Sequence, residues 1–449
     1  MKQDPYLLTQ ERIAAPPVRF RDKLKFLGPG FVLSASIVGS GELIATTTLG
    51  AQAGFVTFWV IIISCLVKVA VQLEFGRHTI LTGETAMQAF NRLPGPRFGK
   101  AKWAIWMFFF LMVIKILQVG GILGGVAIIL HLTFPVLPLW GWVAVIAVIV
   151  SLMIFRGYYS FIEKFSLIMI AVFTIFTFVS LFFLHSTPYA IQWEDVQAGL
   201  GFNLPKEAVA VVFGAFGITG VGGDEIIAYT YWCLEKGYAA KTGPPEESVD
   251  YEARAKGWMN IMYLDAILAM VVYTLVTAAF YLLGAAVLHA QGEVPEGYQM
   301  VETLSSLYTE SLGAGAKTAF MLGSFIVLFS TIFAALAAWT RQFSDIFGQI
   351  GWIDFLDLQQ RQRSIAILAW VFPVLWGAFF LFIEMPVFMV LTGGIVGSII
   401  LFMVVFAALH FRYKETPVAF KPSRAYDLFF WLSIISIVLV GAYGIGKLF

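Results

Sequence analysis

Apolar positions in this chain come in long blocks, without the alternation of a half-buried strand or the stripe of an amphipathic surface helix. Blocks near the twenty residues that cross a bilayer recur eleven times, over roughly 24–53, 54–78, 102–133, 137–156, 163–185, 206–235, 259–289, 311–345, 364–383, 386–411 and 426–447. The pattern predicts an all-α polytopic membrane protein. Two blocks are broken from within. The first holds Val38-Gly39-Ser40-Gly41-Glu42-Leu43-Ile44-Ala45-Thr46-Thr47, and the sixth holds Val221-Gly222-Gly223-Asp224-Glu225-Ile226-Ile227-Ala228-Tyr229-Thr230, identical at six of ten positions. Glycine weakens a helix, and unwound backbone at membrane depth is tolerated only where it is buried in protein or lines a cavity. Helices 1 and 6 are therefore expected to be interrupted near 38–41 and 220–224, with the breaks facing each other.

Five spans separate the two copies, so the second enters the membrane from the opposite side. That predicts two inverted five-helix repeats with an eleventh helix added. The expected divisions are a cytoplasmic tail over 1–23, a first repeat over 24–185, an outer loop over 186–205, a second repeat over 206–411, and a cytoplasmic loop with helix 11 over 412–449. Basic residues test this topology, because cytoplasmic loops are enriched in them. With the N-terminus inside, 24 of the 29 Lys and Arg fall on the inner side. The C-terminus is then outside, and the location is a plasma (inner) membrane.

Composition agrees, at 59% hydrophobic and 13% charged, against about 25% charged in soluble proteins. The net charge of +1 offers no basic surface for nucleic acid. Cys65 and Cys233 sit in apolar blocks and imply no disulfide framework. Glycines at four-residue spacing, Gly120, Gly121, Gly124 and Gly125 in one span and Gly393, Gly394 and Gly397 with Ser398 in another, read as close helix packing. The outer segment 290–310 carries Glu293, Glu296, Glu302 and Glu310, a solvated face with a short surface helix.

Ionisable residues inside the spans are candidates for function. Glu42 and Glu225 each follow a glycine break, in the first turn of a half-helix whose dipole favours a carboxylate. The structural alternative is that Ser40 or Asp224 caps a half-helix and the glutamates satisfy backbone N–H groups. Two carboxylates about 6 Å apart repel by about 2.8 kcal/mol at an effective dielectric near 20, so the cluster calls for a counter-charge. A bound cation, a proton, Lys115 or Lys68 would supply it. Lys68, a turn or so from Glu74, is also placed to snorkel. Glu74 and Asp265 are further buried charges, Asp265 a candidate proton relay with no partner visible in the sequence. Ser330 and Thr331 offer hydroxyls for an ion, or bond back to their own helix.

The segment Gly28-Pro29-Gly30-Phe31, the break, and Gly50-Ala51-Gln52-Ala53-Gly54-Phe55 together resemble the first helix of the Nramp divalent-metal transporters. Thr82-Gly83-Glu84-Thr85-Ala86 resembles that family's segment after helix 2. The resemblance implies a leucine-transporter-like fold with a metal site between the breaks. The chain departs from the family's motifs, however. Asp-Pro-Gly-Asn aligns with Gly39-Ser40-Gly41-Glu42, Met-Pro-His falls on Val221-Gly222-Gly223, the acidic residue of helix 3 falls near Gln118, and helix 9 lacks the family's arginines. The soft ligand that selects transition metals is thus absent.

The expectation is a secondary transporter, not an enzyme, that moves a hard divalent cation, Mg²⁺ or Mn²⁺. Gly39, Glu42, Gly222, Asp224 and Glu225 would bind the substrate. Glu42, Asp224 and Glu225 would be the metal ligands, and Lys115, Glu74 and Asp265 the charge or coupling partners. No cofactor is bound, and a proton or sodium would be the coupling ion. The partners are lipid and a small ion or solute. An organic-solute symporter for an amine or amino acid is the alternative, since glycine-lined breaks leave room for it.

Overall fold

The computed structural model describes residues 4–39, 41–155 and 159–448; Ser40 lies outside them. Each apolar block is helical. In order they are α1a (Pro29–Ile37), α1b (a wide π turn over Gly41–Thr46, then Thr47–Ala53), α2 (Phe58–Thr82), α3 (Trp103–Thr133), α4 (Leu139–Phe155), α5 (Tyr159–Phe183), α6a (Val209–Ile218), α6b (Gly223–Lys236), α7 (Val249–Leu283), α8 (Ala316–Ile350), α9 (Leu358–Ile383), α10 (Pro386–His410) and α11 (Arg424–Leu448). Eight helices among the described residues are each long and apolar enough to cross a membrane, and α4 is a shorter apolar one. The one sheet described is a two-stranded hairpin, Arg97–Phe98 against Ala101–Lys102.

Helix ends carry local signals. Asp357 accepts from the N–H groups of Gln359 and Gln360 at 2.8 and 3.0 Å, starting α9. Ser248 caps α7 through Tyr251 N at 3.1 Å. Helix α6b stops at Gly237, whose φ of +86° suits a left-handed C-terminal turn.

Glycines set the packing around the breaks. A Cβ at Gly217 would sit 1.7 Å from the Gly394 carbonyl oxygen, and one at Gly394 would sit 2.2 Å from that of Gly214. Helices α6a and α10 therefore meet backbone to backbone. A Cβ at Gly121 of α3 would sit 2.7 Å from the Pro386 carbonyl oxygen, and one at Gly393 would run into the Gln118 side chain, so both glycine sets have the packing role expected of them. Overpacking typically costs about 1–3 kcal/mol, and here the obstacle is backbone, which has nowhere to go. Gly217→Ala should lower the melting temperature by several degrees or prevent recovery of monodisperse protein. A wild-type melting curve for Gly217→Ala would contradict this packing.

The other connections also depart from a plain reading. The loop over 186–205 contains a short helix, Trp193–Gly199. The acidic outer segment forms the helix Met300–Leu312, which buries Met300, Leu304, Leu307 and Tyr308 and leaves Glu302 and Glu310 exposed. Helix α9 begins at Leu358 rather than 364 and so includes Arg361 and Arg363. Arg361 is buried and paired with Asp4 at 2.6 Å. The polar tail is thus docked. Tyr6 donates to Glu235 at 2.8 Å, Ala14 N donates to the Lys241 carbonyl at 3.0 Å, and Trp258 donates to the Ala14 carbonyl at 2.9 Å.

Candidate functional site

Both interruptions fall where glycines permit them. Helix α1a ends at Ile37, and Gly39 N donates to the Ile37 carbonyl at 2.6 Å in a tight turn. Helix α6a ends at Ile218. Thr219 is then extended, Gly220 takes a φ of +66°, and Gly222 is extended again before α6b begins. A Cβ on Gly41 would lie 3.2 Å from the Ile218 carbonyl oxygen, so the two breaks face each other in contact.

A narrow cavity opens beside them, walled by α1a, α3, α6b and α8. Glu225 lines it, accepting from the Ser36 hydroxyl at 2.9 Å and from Gly222 N at 2.8 Å. It therefore caps the half-helix and faces the cavity at once. Asp224 pairs with the buried Lys115 ammonium of α3, and its backbone carbonyl accepts from Gln342 Nε2 at 2.8 Å. Gln118, Thr331 and Trp339 complete the polar wall. No Met, Cys or His is among the lining residues.

Glu42 goes elsewhere. It is fully buried, accepts from the Thr277 hydroxyl of α7 at 2.8 Å, and keeps its second oxygen without a hydrogen-bond partner. The wide turn over Gly41–Thr46 presents Gly41, not Glu42, to the cavity. Among the described residues no group of three or more His, Cys, Asp or Glu side chains is placed to hold a metal ion. The three carboxylates share the region of the breaks without converging on one point.

The other charges have structural partners. Asp265 accepts from Gly28 N at 2.8 Å and Gly30 N at 2.5 Å, which caps the start of α1a. These two glycines lie more than two hundred residues away, out of reach of any local pattern, and the Tyr229 hydroxyl donates to the same carboxylate at 3.5 Å. Glu74 pairs with Arg77 at 2.6 Å and with Arg412 at 2.8 Å, away from the cavity. Lys68 neither snorkels nor pairs with Glu74; it is fully buried and donates to the carbonyls of Phe216 and Thr219. Ser330 and Thr331 both bond back to the Val327 carbonyl, at 2.8 and 3.0 Å, although Thr331 also stands over Gly39 and lines the cavity.

Ser36, Trp339 and Gln342 escaped the sequence reading. A signal existed on α8: Thr331, Ala335, Ala338, Trp339 and Gln342 recur at three- and four-residue steps, which puts them on one helix face.

Comparison with known proteins adds a frame. The family model described as Natural resistance-associated macrophage protein-like, abbreviated Nramp, matches residues 30–447. The divalent metal cation transporter MntH of Brucella suis is 26% identical over 376 residues, which is 80% of this chain and 75% of the relative. An uncharacterised Pasteurella multocida protein is 26% identical over 334 residues, 72% of this chain and 70% of its own. Among solved structures, the Eremococcus coleocola manganese transporter superposes with a TM-score of 0.67 at 16% identity, covering 97% of this chain and 90% of that one. Mhp1, a nucleobase-cation-symport-1 family transporter, gives a TM-score of 0.57 at 14% identity over 98% of this chain and 95% of its own. The architecture is the leucine-transporter-like fold, with interrupted first and sixth helices.

Proposed function

This chain belongs to the Nramp family, and from that premise we propose that it is a secondary transporter, not an enzyme, that carries a hard divalent cation by alternating access. Mg²⁺ and Mn²⁺ are the favoured substrates. The observation that carries this reading is the donor set of the cavity at the breaks. It offers the Asp224 and Glu225 carboxylates, the Ser36 and Thr331 hydroxyls and the Gln118 and Gln342 amides, with no Met, Cys or His. Oxygen donors suit hard cations. In this reading Glu225 is the primary ligand and Asp224 becomes one when Lys115 releases it. Carbonyls near Gly39 and Gly222 add to the shell, and Glu42 contributes charge from behind the α1 break. Few convergent carboxylates fit an ion that keeps part of its water, as Mg²⁺ does. The tail side of the bundle is assigned to the cytoplasm, the C-terminus to the outside.

One observation favours a second reading. The Lys115–Asp224 pair leaves Glu225 as the uncompensated anion of the cavity wall, and a single negative charge matches the ammonium of an amine or amino acid. Calorimetric titration of purified protein with Mg²⁺, Mn²⁺, Cd²⁺, Fe²⁺ and a panel of amino acids separates the two. We expect saturable heats with Mg²⁺ or Mn²⁺ and no advantage for Cd²⁺ or Fe²⁺. Submicromolar Cd²⁺ binding without a Mg²⁺ response would sink the hard-cation reading. A response to amino acids alone would replace it with the organic-solute one.

A further inference from the structure

Behind the cavity, on the α2 side of the α6 break, lies a charge that does not line the cavity. The Lys68 ammonium, fully buried, donates to the Phe216 and Thr219 carbonyls and sits 4.7 Å from the centre of the Phe216 ring. Ser64, one turn earlier on α2, donates to the same two carbonyls at 3.2 and 3.0 Å. Those carbonyls belong to the last turn of α6a and the first residue past it, where the helix dipole is negative and carbonyls lack intrahelical partners. Hydrogen bonding alone does not call for a lysine, because a second hydroxyl beside Ser64 would satisfy the same oxygens at no ionic cost. Burying an ammonium carries a desolvation penalty of several kcal/mol, so what Lys68 adds there is its charge.

Two carbonyl oxygens and an aromatic face around a positive centre are the surroundings of a desolvated monovalent cation. Half-helix C-termini and unwound carbonyls are also where coupling cations are held in transporters with interrupted helices. We propose that Lys68 is a tethered cation filling a monovalent-cation site at the α6 break, so that this chain binds no free Na⁺ or K⁺ there. The proposal rests on the transport reading for its meaning. Its test reads cation binding and not transport, so each can fail without the other. Absence of any metal or amino-acid heat would end the transport reading and leave the cation result standing.

Lys68→Ala empties the site while keeping its carbonyls, and Lys68→Met fills the same space without charge. Both variants and the wild type are purified and melted in chloride salts of Na⁺, K⁺, n-propylammonium (the fragment that Lys68→Ala removes) and inert N-methylglucamine, at constant ionic strength. The wild type should melt at one temperature in all four. Lys68→Ala should melt lowest in N-methylglucamine and gain about 5 °C, saturably, with at least one small cation, as expected for a ligand that binds only the folded state. Lys68→Met should stay low and unresponsive. A saturable Na⁺ or K⁺ shift in the wild type overturns the proposal, as does a folded Lys68→Ala indifferent to every cation. Failure of Lys68→Ala to fold in all four salts overturns it as well, because a tethered cation must be replaceable by a free one.

Discussion

Lys115→Met should cost about 3–5 kcal/mol of stability, the usual penalty for stranding one partner of a buried ion pair. Asp224 is 7% exposed and Lys115 is 3% exposed, so little water is at hand to replace the lost ammonium. Asp224 also sits one residue from Glu225 at the start of α6b, and without Lys115 their repulsion adds to the desolvation of each. The double variant Lys115→Met/Asp224→Asn removes both charges and should recover most of the loss, since paired removal leaves nothing stranded. Thermal or denaturant unfolding in detergent measures all three proteins. Equal damage in the single and double variants would mean that Lys115 matters for its packing along α3 and not for its charge.

Glu225→Gln is expected to abolish substrate binding while leaving the fold in place. The amide oxygen still accepts from Gly222 N and the amide N–H still reaches the Ser36 hydroxyl, which are the two bonds the carboxylate makes. Stability should therefore change by less than about 1 kcal/mol. The charge is another matter. A unit cation about 4 Å from a carboxylate gains ~4 kcal/mol at an effective dielectric near 20, which is about three orders of magnitude in affinity. That loss is expected whether the substrate is a metal ion or an ammonium. Glu42→Gln provides the contrast: it faces Thr277 and not the cavity, and its effect on binding should be much smaller. Calorimetry and uptake into proteoliposomes check both. Intact binding in Glu225→Gln with loss in Glu42→Gln would reverse the assignment of the two halves.

The breaks themselves were readable from composition, because glycine and a carboxylate in an apolar block leave few other physical outcomes. The helical character of the apolar blocks was readable for the same reason, since bilayer thickness fixes the length an apolar helix needs. What the sequence did not disclose is direction. The wide turn over Gly41–Thr46 changes which residue faces inward, so the matching positions Glu42 and Glu225 end up on different surfaces despite six identities in ten. Partner choice was equally hidden. Asp265 reads as an orphan until the start of α1a arrives beside it, and Arg361 reads as a loop charge until α9 is seen to begin at Leu358. Pairings of this kind are decided by tertiary approach, which no local period encodes.

The docked tail has a consequence for the order in which the molecule is made. Asp4 is made before its partner Arg361, which stands 357 residues later. At roughly 5–20 residues per second, that separation is on the order of 20–70 s of synthesis. During that interval Tyr6 has no Glu235 for the first part, and Asp4 has no arginine until α9 emerges. Asp4 must therefore wait unpaired while the earlier helices form, and the Asp4–Arg361 pair closes only once α9 has begun to emerge. Its formation follows the synthesis of α1 to α8 and precedes that of α10 and α11, which are added to a bundle whose tail is already fastened.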